Sequence, residues 1–74
     1  MLPAISNQSI THLKQVRKAK SISQDALADN LSIDRTHITK TETLVRRLDF
    51  IELCDWLDAL DYQLEDFLKE LGRL

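Results

Sequence analysis

Glycine occurs once in this 74-residue chain, as Gly72, and cysteine once, as Cys54. One glycine leaves no Gly-rich loop to cradle a phosphate, and one cysteine excludes both an intramolecular disulfide and a zinc cluster of ligand spacing. No apolar run approaches the ~20 residues of a membrane span, and the first seven residues lack the charged and apolar regions of a secretory signal. Low-complexity tracts and internal repeats are also missing. Neither His12 nor His37 has a spaced partner for metal binding or nucleophilic catalysis, and the many carboxylates come without a His cluster or an activated nucleophile. These absences point away from an enzyme, a metal site, a cofactor and a membrane protein. A single cytoplasmic domain spanning 1–74 is expected. At this size a chain buries only about 60% of its unfolded surface, so it gains from a partner.

What is present is helical periodicity. Ile10, Leu13 and Val16 recur at helical spacing over about residues 9–20, with Lys14, Arg17, Lys18 and Lys20 around them. Residues 23–42, SQDALADNLSIDRTHITKTE, hold two short amphipathic stretches separated by a three-residue break. Ser23 is an N-cap for the first, and Asp25 sits in its first turn, where the helix dipole favours a carboxylate. Asp34 caps the second stretch. There Ile38 is the only large apolar residue, so one side is anchored while Arg35, Thr36, Thr39, Lys40 and Thr43 stay on a polar side. This is the spacing of a helix-turn-helix, whose second helix lies in the DNA major groove.

Two further helices complete a five-helix, all-α reading. Asp49 caps the fourth, with Glu52 three residues on to complete a capping box. Phe50, Leu53, Cys54, Trp56, Leu57 and Leu60 cover more than one of its faces, and Cys54 reads as a packing thiol. Gln63 leads the fifth, whose Leu64, Phe67, Leu68 and Leu71 form a stripe before Gly72 ends it. One small core does not easily enclose all these side chains. A dimer surface is therefore expected within 48–74, with Trp56, Tyr62, Phe67 and Leu71 as its candidates.

Net charge is −2, yet the halves differ. Residues 1–47 carry eight Lys and Arg against four acids, +4; residues 48–74 carry two against eight, −6. Phosphate affinity follows the local field and counterion release, so a basic half can bind DNA inside an acidic chain. Lys14, Lys18 and Lys20 belong to that half, although lysines on an exposed helix face are common.

The motifs together resemble the Cro and phage-repressor-like (XRE) helix-turn-helix DNA-binding domains over roughly residues 13–68. LKQVRKAKSISQDALAD is similar to the family's first helix and the S-Q-x-x-L-A opening of its second. NLSIDRTHITKTE is similar to the turn and recognition helix, and LDFIELCDWLDAL with LEDFL to the final helical pair. Ser32, Leu44 and Asp61 stand where the family usually has glycine, so those turns are expected to be tighter or differently shaped. Thr41 stands where it usually has an apolar residue.

The resemblance implies that Arg35, Thr36, Thr39 and Lys40 reach base edges, with Arg35 suited to a bidentate contact with guanine. It places Gln24 at the start of the second helix, touching phosphate and bracing the recognition helix. Ser23, Thr43, Arg46 and Arg47 are candidates for phosphate or groove contact, as is His37, which alternatively packs against the second helix. Arg17 and Glu42 match a structural salt bridge and leave the DNA list. His12 is expected at the surface. The implied function is a homodimeric repressor, or autorepressor of a small operon of a phage or mobile element, on a palindromic site in double-stranded DNA. Two alternatives are an antitoxin-type repressor that also binds a partner toxin through the final helices, and a protein-interaction adaptor.

Overall fold

The computed structural model describes residues 5–73, and the start of the segment read for a secretory signal lies outside them. The described chain forms five α-helices: α1 (Asn7–Ala19), α2 (Gln24–Leu31), α3 (Arg35–Glu42), α4 (Phe50–Ala59) and α5 (Leu64–Leu71). No described helix is long and apolar enough to cross a membrane. The first helix begins two residues before the periodicity suggests. Its cap is Ser6, whose hydroxyl accepts the Ser9 amide at 3.2 Å. Ser23 and Asp34 cap α2 and α3 through Ala26 and Thr36 amides. At α4, Asp49 and Glu52 form the reciprocal capping box. Gln63 is the cap position of α5 and makes no side-chain bond there.

All four connections share one backbone solution. After each of α1 to α4 a residue takes the left-handed conformation, Ser21 (φ 57°), Ser32 (57°), Leu44 (66°) and Asp61 (54°). Each time its amide bonds the carbonyl three residues back, and the next amide bonds the carbonyl five residues back: Ile22 to Arg17, Ile33 to Ala28, Val45 to Lys40, Tyr62 to Leu57. These are four Schellman motifs, which normally take glycine at the left-handed position. The three positions noted for lacking glycine thus keep the backbone that glycine favours. Gly72, by contrast, has a helical φ of −66°.

The core joins Ile10, Leu13 and Val16 of α1, Leu27 and Ala28 of α2, Ile38 of α3, Leu48, then Leu53, Trp56, Leu57 and Leu60 around α4, and Phe67 of α5. Trp56 is 4% exposed and Phe67 0%. They are consumed by the protomer's own core, which corrects their expected place in a dimer surface. Tyr62 and Leu71 are half-buried, packed against the same core. Cys54 is a half-buried free thiol. Thr41 occupies an apolar position of α3 without exposure because its hydroxyl donates to the His37 carbonyl at 2.8 Å. Helix α2 packs on α3 and α4, and α1 on α3, so α3 rests on two helices and presents its other side outward.

Candidate nucleic-acid interface

Helix α3 divides cleanly by burial. Ile38, Thr41 and Glu42 face inward, while Arg35, Thr36, His37, Lys40 and Thr43 are exposed and Thr39 is half-buried. The Asp34 cap starts this helix. Its carboxyl is held below the usual range, first by the Thr36 amide bond, then by the Thr36 hydroxyl. Exposed donors therefore begin at the first helical residue. His37 lies on this outer surface and not against α2.

A polar network fixes the angle of α3. Arg17 of α1 donates from Nε to Glu42 Oε2 at 2.7 Å and from Nη2 to Oε1 at 2.9 Å, and from Nη1 to the Ile22 carbonyl at 2.7 Å. Gln24 of α2 donates to Glu42 Oε1 at 3.0 Å and accepts from the Thr39 hydroxyl at 2.9 Å. The buried pair is thus bidentate and satisfied, the condition under which a buried ion pair is tolerated. One chain of bonds runs from α1 through Glu42 and Gln24 to the surface of α3. Gln24 and Glu42 hold the helix by its inner side, and half-buried Thr39 spends its hydroxyl hydrogen on Gln24, keeping only acceptor capacity on that oxygen.

Around α3, Arg35 lies 3.6 Å from Asp25, with both side chains well exposed. Such a loose surface pair contributes little and leaves the guanidinium able to swing outward. Ser23 is exposed, and its oxygen accepts the Ala26 amide, so its own hydrogen remains available. Arg47 is exposed. Arg46 is half-buried and bound to Glu52 at 2.8 Å and to the Arg47 carbonyl at 3.1 Å, so it is not the free partner of Arg47 that an adjacent arginine pair suggests.

His12 of α1 and Lys20 at its C-terminal cap turn elsewhere. His12, expected at the surface, is half-buried with Nε2 2.6 Å from Glu70 and its ring against Phe67. Glu70 also accepts the Tyr62 hydroxyl. Lys20 donates to the Asp61 carbonyl at 2.8 Å and lies over the Tyr62 ring. The Gln24 links carried no local sequence signal beyond the family pattern. The Arg46–Glu52 pair had one, a capping glutamate with a second oxygen to spare. Among the described residues no group of three or more His, Cys, Asp and Glu side chains converges on a metal position.

A braced helix with a buried inner face, an outer face of Arg, Thr, His and Lys, and a second helix packed across it defines a helix-turn-helix DNA-binding domain. A family model described as helix-turn-helix matches residues 13–67, and the chain belongs to that family, the Cro and phage-repressor (XRE) type of DNA-binding transcription regulator. Solved structures of restriction-modification controller proteins share the fold. Wild-type C.Esp1396I matches with a TM-score of 0.84 at 25% identity, over 90% of this chain and 87% of that one. Its tetramer, in complex with its natural 35-base-pair operator, gives 0.83 at 25% identity over 90% and 88%. C.AhdI from Aeromonas hydrophila gives 0.71 at 25% identity over 81% and 91%. No curated protein matches the chain in sequence.

Proposed function

We propose that the chain is a sequence-specific operator-binding repressor, acting as a homodimer on a palindromic site. The observation that carries this reading is the outer face of α3, polar and cationic over residues 35–43 while its inner face is locked to α1 and α2. Arg35 and Lys40 supply cationic donors to base edges, Thr36 a hydroxyl and a methyl, and Thr39 chiefly its methyl, suited to a thymine. Ser23, His37, Thr43 and Arg47 reach phosphates and fix the register. Arg46 joins them through the guanidinium hydrogens that Glu52 leaves free. Gln24 serves first as the brace and touches phosphate with its remaining amide hydrogen.

Likeness to controller proteins, one of them bound to its operator as a tetramer, supports regulation of a short operon by occupancy. Autorepression is the simplest form of it. The test is Arg35→Ala measured by fluorescence anisotropy on a selected operator. Affinity is expected to fall by about 1–3 kcal/mol with relaxed preference at one base pair. Unchanged affinity and preference remove Arg35 from the base contacts.

A further inference from the structure

Four cations lie on or just beyond α3: Arg35, Lys40, Arg46 and Arg47. Three of them are available to DNA. Arg35 has only its loose 3.6 Å approach to exposed Asp25, and Lys40 and Arg47 are exposed and make no ion pair among the described residues. Arg46 is different. Its backbone is fixed to the recognition helix, because its amide and that of Val45 both donate to the Lys40 carbonyl, at 3.0 and 2.8 Å. Its guanidinium is drawn to α4 instead. Nη2 donates to Glu52 Oε2 at 2.8 Å and Nη1 to the Arg47 carbonyl at 3.1 Å.

Glu52 has both oxygens in use. Oε1 accepts the Asp49 amide at 3.2 Å as half of the capping box, and Oε2 holds Arg46. A capping box needs one oxygen here and no charge, since glutamine serves at this position as glutamate does. The charge is surplus to the cap, and among the described residues Arg46 is its one ion-pair partner. A carboxylate offers a guanidinium the same charge sign and paired acceptors that a phosphate offers. Both side chains are about one-third exposed, 35% for Arg46 and 33% for Glu52, so a phosphate can reach the arginine without opening the core.

We infer that Glu52 is an internal competitor for phosphate, holding Arg46 in the free protein and yielding it to the DNA backbone on binding. The inference rests on the DNA-binding reading and names the residue that sets how much Arg46 contributes to it. Contact starts through the guanidinium hydrogens that Glu52 leaves free. An approaching phosphate repels the Glu52 carboxylate, and Arg46 exchanges one anion for the other while Oε1 stays on the Asp49 amide and α4 keeps its cap. Because one anion replaces another, Arg46 adds less affinity than an unpaired arginine would. Glu52 is thus a positioning residue that acts through Arg46. It tunes strength and not sequence preference, since phosphate contacts carry no base information.

The test is a double-mutant cycle of Glu52→Gln and Arg46→Ala, each alone and together, by fluorescence anisotropy of the full chain on a duplex selected from random sequence by the wild type. Glu52→Gln keeps an oxygen for the Asp49 amide and removes the charge. It is expected to tighten binding about two- to five-fold at low salt, the scale of releasing one exposed ion pair, and to lose most of that gain in the Arg46→Ala background. A gain of the same size in that background is only the loss of a negative charge near DNA, and overturns the inference. So does unchanged or weaker binding by Glu52→Gln, the weaker case meaning that Glu52 presents Arg46 to DNA. Trp56 emission in urea reports whether each variant is folded; a merely structural Glu52 would show there as lost stability with no tighter binding. Glu52→Ala takes the place of a Glu52→Gln variant that fails to fold, because the Asp49 carboxylate still accepts the backbone amide of residue 52. A wild type that binds no duplex in a salt-dependent way removes the DNA reading and the inference with it, whereas wild-type binding without an effect at Glu52 removes the inference alone.

Discussion

Ser32 has no reason to be serine in the backbone it adopts. At φ 57° and ψ 41° it closes α2 in the left-handed region, exposed, its amide spent on the Asp29 carbonyl. Ser32→Gly is expected to relieve that conformation and raise stability by about 0.5–1 kcal/mol, after the extra freedom glycine gives the unfolded chain is deducted. Urea denaturation followed by Trp56 emission checks it; a loss of stability would show that the hydroxyl has a role the geometry does not reveal. Glu70 makes a second prediction. Hydrogen bonds from Tyr62 first, and then from His12, hold its carboxyl below the ordinary range. The folded value is depressed, so the stability it contributes is present above the ordinary carboxylate range and lost as pH falls through the folded value. Tyr62 is the mirror case. Its bond to Glu70 pushes the phenol up to about 12, so that contribution holds below 10 and disappears as pH rises through about 12. Thermal melts across pH are expected to show a shallower acid decline in Glu70→Gln than in wild type. Superimposable acid limbs would mean the contact does not survive in solution.

Four of the five helices start at a side-chain cap visible in the sequence, while α5 starts at Gln63 without one and is legible through its apolar stripe. Ser23, Asp34 and Asp49 all cap as their types dictate. The first helix starts before the periodicity suggests because Ser6 accepts the Ser9 amide, a signal that the apolar pattern, which opens only at Ile10, does not carry. The inner side of α3 was legible through Ile38 and, by family pattern, Glu42. Thr41 was not, since its burial depends on a bond to its own helix. His12 and Glu70 are 58 residues apart, and nothing local announces their meeting. Trp56 and Phe67 were misassigned because the sequence shows how much apolar surface there is and not which part the protomer covers. At this scale the Arg17–Glu42 pair is the decisive joint. Glu42→Ala leaves Arg17, 7% exposed, without its counter-charge and releases Gln24. A loss of about 3–5 kcal/mol is expected, read from the denaturation midpoint. The double replacement Arg17→Met with Glu42→Met should recover much of it, because two apolar side chains fill the site without a stranded charge. A single-variant loss below about 1 kcal/mol would mean the pair is as weak as a surface one.

As a whole the molecule separates its charges and its tasks. Arg35, Lys40, Arg46 and Arg47 lie on and just beyond the recognition helix, while eight acids fall in residues 48–74, so the net charge of −2 describes neither half. Between the two halves Leu44, Val45, Phe50 and Ile51 stay exposed, as does Leu68 on α5. Selection of bound sites from random duplex DNA by the wild-type chain tests the central claim most directly, because one motif reports both base contact and symmetry. The account predicts enrichment of a two-fold symmetric site whose half-sites are centred about one helical turn apart. Failure to enrich any sequence, or a motif without two-fold symmetry, would contradict it.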